Sequence, residues 1–345
     1  MKSAMSRAVA VGLAVLLACS PFAPAPVNAD QTSCRTVNVP VAVLGTQTMY
    51  GQLCEPATAT QTVFVLVPGA TYTGDYWNLP PQLGLYPFRE HLNADGYATL
   101  VVDRLGSGHS SHPLSATLTT LIQADAVHQV IQRLHDGSLG SGYANVIIGG
   151  HSLGGAIAVL EAATYHDVGG VLMAGISHHL DPVDAAANFF LSLYPAAIDP
   201  QLALRGFDLG YLTTLPGSRA RAFHNPAAAP AAIAHDESTK DVFAPGEAAD
   251  AVGVAIIAPY TALITAPVLL AASDGDELMC GPLPPAADCS SPEAFHAQEA
   301  LYFSAQAQLE TYLLPGHYGH SFNYAPNADL FRQAVTDWAD RKVGR

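Results

Sequence analysis

The chain has 345 residues, of which 50% are hydrophobic and 12% charged. That balance excludes an intrinsically disordered polymer and suffices for one large domain or two ordinary ones. With 14 Lys and Arg against 29 Asp and Glu, the net charge is −15, which repels phosphate backbones and argues against nucleic acid as a partner.

At the N-terminus, Lys2 and Arg7 flank the start of an apolar run over residues 8–19, and Pro-rich residues lead to Val27-Asn28-Ala29. A positive head, a short apolar stretch and a small-x-small site make a secretory signal peptide, with cleavage expected after Ala29. The run is shorter than the ~20 apolar residues of a bilayer-crossing helix, so no integral membrane span is expected there or later. A cut before Cys19, in Leu16-Leu17-Ala18-Cys19, would instead make a lipoprotein. The expected location is extracellular, with attachment to the cell envelope as the variant.

Beyond Ala29 stand Cys34, Cys54, Cys280 and Cys289, an even count that suits disulfides in an exported chain. Residues 36–44 and 46–53 read as two strands around Gly45, which would bring Cys34 to Cys54. Cys280 and Cys289 bracket a Pro-rich loop and are expected to staple it. Zinc is the alternative, but no CxxC pair is present.

Further along, apolar runs at residues 63–67, 98–102, 145–148, 171–174 and 268–272 read as strands buried on both faces. Between them, Leu121, Ile122, Ala126, Val127, Val130, Ile131 and Leu134 recur at helical spacing, and a second helix is expected over about 154–165. Leu330, Phe331, Ala334, Val335 and Trp338 mark the buried face of a final helix. This alternation predicts an α/β fold with a mainly parallel central sheet flanked by helices, and a ligand site beyond the strands' carboxyl ends. Residues 178–262 break the rhythm: Ala-rich helical pieces and Pro breaks, with no clear strand, predict a helical cap inserted over the sheet's edge. The layout expected is thus a leader at 1–29, a core at 30–177 and 263–345, and a cap or lid at 178–262.

Gly150-His151-Ser152-Leu153-Gly154 fits G-x-S-x-G, directly after an apolar strand and opening a helix. The turn is too tight for a Cβ at the two motif glycines that bracket the serine. Its hydroxyl would stand exposed, beside the free N–H groups of a helix N-terminus.

With this motif in place the sequence resembles the α/β-hydrolase superfamily, and the other parts follow in that family's order. Pro68-Gly69-Ala70-Thr71 looks like its oxyanion loop, with Pro-Gly where His-Gly is usual. Asp103 to Ser110 is similar to its Asp-x-x-Gly-x-Gly-x-Ser stretch, Ser273-Asp274-Gly275-Asp276 follows a late strand, and Gly319-His320 precedes the last helix. The resemblance implies Ser152 as nucleophile, Asp276 as acid and His320 as base, with the backbone N–H groups of Ala70 and Leu153 as oxyanion donors. Asp274, Glu277 and His317 stay open as alternatives.

The implied activity is hydrolysis of a small-molecule or lipid carboxylic ester through an acyl-enzyme. A serine at the elbow argues against the aspartate nucleophile of dehalogenases and epoxide hydrolases. An aminopeptidase or amidase would need an acidic anchor, for which Asp236 and Glu237 are candidates; a lactonase or thioesterase would use the same residues. A non-catalytic secreted binding protein is the remaining class. Phe189, Phe190 and Tyr194 are candidates for an apolar acyl pocket or for the cap's own core. His151 reads as a packing residue, and His109, His112, His178 and His179 as loop or pocket residues, since no HExxH accompanies them. Gly106-Ser107-Gly108 is an incomplete dinucleotide fingerprint, so neither cofactor nor metal is expected.

Overall fold

The computed structural model describes residues 32–345 except 86, 225–227 and 259. The expected leader and Cys19 lie outside the described residues. The first strands, β1 (Ser33–Ala42) and β2 (Thr46–Glu55), form an antiparallel hairpin in which Cys34 faces Cys54. Cys34 is bonded to Cys54, and Cys280 to Cys289.

Five parallel-sheet strands follow the hydrophobic runs: β3 (Thr62–Val67), β4 (Ala98–Val102), β5 (Asn145–His151), β6 (Gly170–Ala174) and, later, β9 (Val268–Ser273). Every residue of β3, β4, β6 and β9 is buried, as a sheet covered on both faces requires. In the main sheet, β10 (Glu310–Leu314) carries no sequence mark, because three of its five residues are only half-buried and no continuous apolar run marks it. The sheet order is β1-β2-β4-β3-β5-β6-β9-β10, parallel from β4 to β10 and antiparallel at β1 and β2.

Alternation along β3 divides the core into two layers. Val63, Val65 and Val67 face α2 (Thr120–His135) and α3 (Leu153–Tyr165); Phe64 and Leu66 face α1 (Phe88–Ala94) and α9 (Ala328–Lys342). The stripes on α2 and α9 are narrower than expected. Leu121 and Leu330 are exposed, because each lies one residue, about 100°, off the buried i, i+4 row.

Between β6 and β9 the chain leaves the sheet through α4 (Pro182–Asp184), α5 (Arg219–Phe223), α6 (Pro230–Ser238) and α7 (Pro245–Asp250), with short 3-10 and π turns between them. Contrary to the expectation of no strand here, β7 (Leu193–Pro195) and β8 (Leu212–Thr214) pair antiparallel. At three residues each they are too short to leave a period-2 pattern. After β9 come α8 (Pro292–Glu299) and β10. Among the described residues no helix is long and apolar enough to cross a membrane.

Candidate active site

β5 delivers Ser152 to the carboxyl edge of the sheet, and α3 starts at the next residue. Ser152 has φ 54° and ψ −118°, a region that L-residues avoid and occupy chiefly at functional turns. Both flanking glycines are required by sterics. A Cβ on Gly150 would meet the Gly154 carbonyl oxygen at 1.9 Å, and one on Gly154 would meet the Val67 carbonyl oxygen at 2.2 Å. Ser152 N–H donates to the Ala174 carbonyl at 2.8 Å, which fixes the turn to β6.

The loop after β3 runs beside it. Ala70 and Ser152 line the same cavity, and the following Thr71 is held at φ 63°. Leu153 is the first residue of α3, so its N–H has no intrahelical acceptor. Two buried arginines hold this loop. Arg104 donates to the Gly69 carbonyl at 3.2 Å while paired with Glu247 at 2.5 Å, and Arg219 donates to Thr71 Oγ1 at 2.8 Å. The Asp103 stretch serves the same region: its carboxylate accepts from Gly74 N–H at 2.8 Å and His109 N–H at 2.9 Å, although burial pushes the group up.

Asp276 and His320 come from the loops after β9 and β10. Both are buried, and His320 Nδ1 lies 2.9 Å from Asp276 Oδ2 and 3.1 Å from Oδ1. Nε2 of His320 makes no hydrogen bond among the described residues, and His320 lines the same cavity as Ser152. The Asp276 loop is braced by Cys280, whose N–H donates to the Asp276 carbonyl at 2.7 Å and whose sulfur is bonded to Cys289.

The alternatives are placed elsewhere. Asp274 accepts the backbone N–H groups of His317 at 2.7 Å and Gly316 at 3.3 Å, and the His317 side chain is largely exposed. Glu277 accepts from Asn188 at 3.2 Å. His151 does more than pack. Its Nε2 donates to the His320 carbonyl at 3.0 Å, its ring stacks on Tyr76 at 4.1 Å, and burial with His320 nearby holds its pKa well below the usual imidazole range.

The cavity over Ser152 has a volume of about 90 Å³ and an apolar wall that includes Phe189, Phe190, Phe223, Phe243 and Met279. Tyr194 is not part of it; its hydroxyl donates to Asp199. Asp236 is sealed in an ion pair with Arg219 at 2.8 Å and bonded to His224 at 2.6 Å, so it offers no anchor for a substrate amine. Glu237 lies 3.7 Å from Lys240. His178 is bonded to Glu299 at 2.7 Å and Thr261 at 2.8 Å, His112 packs on Phe207, and His109 is exposed.

A family profile described as "Alpha/beta hydrolase family" matches residues 64–337. The chain belongs to the alpha/beta hydrolase family. Its sheet and flanking helices have this family's architecture. Over 71 residues it is 38% identical to Lipase 1 of Psychrobacter immobilis and to Lipase 3 of Moraxella sp. (strain TA144). That stretch is 21% of this chain and only 20–21% of either lipase. A thermophilic esterase from Thermogutta terrifontis aligns over 90% of this chain and 100% of its own, at 19% identity and a TM-score of 0.58. An enol-lactonase from Burkholderia xenovorans LB400 aligns over 87% and 99%, at 16% identity and the same TM-score of 0.58.

Proposed function

We propose that this hydrolase cleaves carboxylic esters of short acyl chains, with Ser152 as nucleophile. The observation that carries the reading is the state of His320: one ring nitrogen is held by buried Asp276, and the other is unpartnered in the cavity that Ser152 lines. A serine hydroxyl needs a base during attack, and a neutral imidazole near pH 7 supplies one. Nε2 of His320 takes the Ser152 proton as Oγ bonds to the acyl carbon; Asp276 holds the Nδ1–H tautomer and stabilises the imidazolium. The N–H groups of Ala70 and Leu153 receive the oxyanion. His320 then protonates the departing alcohol, and a water activated by the same nitrogen hydrolyses the acyl-enzyme.

The cavity supports a short acyl group, since about 90 Å³ is less than the ~150 Å³ that holds a benzene ring. The segment between β6 and β9 acts as the cap, because Phe189, Phe190 and Phe243 from it wall that cavity. Names of the relatives, lipase and esterase, support the ester class. The leader-like N-terminus and the two disulfides support export. The test is hydrolysis of p-nitrophenyl esters from acetate to palmitate, beside Ser152→Ala. Activity confined to short chains and abolished in the variant supports the reading. Equal turnover by Ser152→Ala, or turnover of lactones with no linear ester cleaved, rejects it.

A further inference from the structure

Away from the active site, α2 and α3 pack side by side, and one buried carboxylate between them makes no hydrogen bond among the described residues. Glu161, on the second turn from the end of α3, is fully buried, yet neither carboxylate oxygen has a hydrogen-bond partner among the described residues. Such a group is costly and calls for an explanation. The groups facing it are His128 of α2, with Nδ1 3.4 Å from Glu161 Oε1, and Asp167, just past α3, with Oδ2 3.0 Å from the same Nδ1. Asp167 Oδ1 and His128 Nδ1 are likewise buried without a hydrogen-bond partner.

One nitrogen and two carboxylate oxygens thus converge, all within 4.8 Å of one another. Ligands bound at ~2.0–2.2 Å to a common tetrahedral ion lie roughly 3.3 Å apart, close to the spacings of 3.4 Å and 3.0 Å from His128 Nδ1 to the two carboxylates. The surroundings fix His128 and Asp167. The His128 ring stacks on Tyr165 at 3.6 Å, Gln132 Nε2 donates to Asp167 Oδ2 at 2.5 Å, and His135 Nε2 donates to the Asp167 carbonyl at 3.0 Å. Two carboxylates and a neutral imidazole carry the charge that a divalent cation balances.

We propose that His128, Glu161 and Asp167 form a structural divalent-cation site that clips α2 to α3. An imidazole among carboxylates suits zinc better than calcium or magnesium, which take oxygen alone. Glu161 is nine residues beyond Ser152 on the same helix, ~13 Å away, so the ion is remote from the acyl cavity.

The test uses the untagged protein, stripped with EDTA and dialysed against zinc chloride alone. The expected result is one retained zinc per chain and a Tm gain of about 5 °C at a hundredfold excess over Kd. Glu161→Gln and His128→Gln should each lose the retained zinc and the thermal gain, and whichever variant folds by circular dichroism is decisive. A zinc-edge absorption spectrum needs no variant and should show a single imidazole with oxygens at ~2.0–2.2 Å. No retained zinc, equal retention by a folded variant, or a shell of several imidazoles overturns the proposal.

Discussion

Arg219 Nη2 donates to Asp236 Oδ1 at 2.8 Å, and both side chains are sealed from solvent. The pair belongs to α5 and α6, but its other contacts are with the site. Arg219 lies over Tyr72 at 4.3 Å and donates to Thr71, the residue after Ala70. Tyr72 hydroxyl donates to Asp236 Oδ2 at 3.2 Å and lies 2.5 Å from Ser321 Oγ, the residue after His320. One carboxylate therefore ties together the loop of Ala70, the loop of His320 and the segment between β6 and β9.

Removing that carboxylate should be expensive. Burial alone would raise the Asp236 carboxyl, but Arg219 and His224 outweigh it and hold the group far below the usual range. Asp236→Ala leaves Arg219 buried and unpaired, and a loss of about 3–5 kcal/mol is expected in urea unfolding at pH 7. Because the folded pKa is depressed, this stabilisation is complete above the unfolded value near ~3.9 and fades as the pH falls below it. The gap between parent and variant should therefore narrow below pH 4.

The two candidate acids should separate cleanly in kinetics. Asp276→Asn keeps the shape beside His320 but favours the wrong tautomer, so kcat should fall by about 10⁴. Asp274→Asn still accepts from the Gly316 and His317 N–H groups, and a change within about tenfold is expected. Similar losses in both variants, measured on one p-nitrophenyl ester, would remove the distinction.

Motif and strand pattern together made the site's frame legible, and the reason is geometric. A buried parallel strand must be apolar throughout, and a glycine must stand where a Cβ would meet backbone; both leave marks in the sequence. Only the Ser152 turn is marked this way; the loops of Ala70, Asp276 and His320 are legible through the family resemblance. The buried pairs Arg104–Glu247 and Arg219–Asp236 left no such mark. Their partners are 143 and 17 residues apart, and charged side chains on turns and short helices read as solvated. His128, Glu161 and Asp167 escaped for a related reason, since no motif spaces ligands across two helices. The second role of His151 leaves no mark either, since its hydrogen bond goes to a backbone carbonyl 169 residues away.

His151 should set a pH dependence of stability. Burial, with His320 adding like charge when protonated, keeps it neutral in the folded protein. The unfolded chain binds a proton there below its ordinary value near ~6.5. Stability from this group is therefore complete above that pH and declines below it, by about 1.4 kcal/mol per pH unit. The measurement is the difference in unfolding free energy between the parent and His151→Gln from pH 7.5 to 5. It should shift steadily against the parent as the pH falls; a flat difference would mean that His151 titrates alike in both states.

Phe189 should limit the length of the acyl chain. It is half-buried in the cavity wall, with its ring 5.6 Å from Phe223 and 6.1 Å from Phe243. Phe189→Ala removes that ring without touching Ser152, Asp276 or His320, so turnover of the acetate ester should stay within about threefold. The space released is apolar, and each further methylene it buries contributes ~0.8 kcal/mol, about fourfold in kcat/KM. The optimum should move two or three carbons toward longer esters, with hexanoate and octanoate gaining most. An unchanged chain-length profile beside an unchanged acetate rate would place the acyl chain on another wall of the cavity.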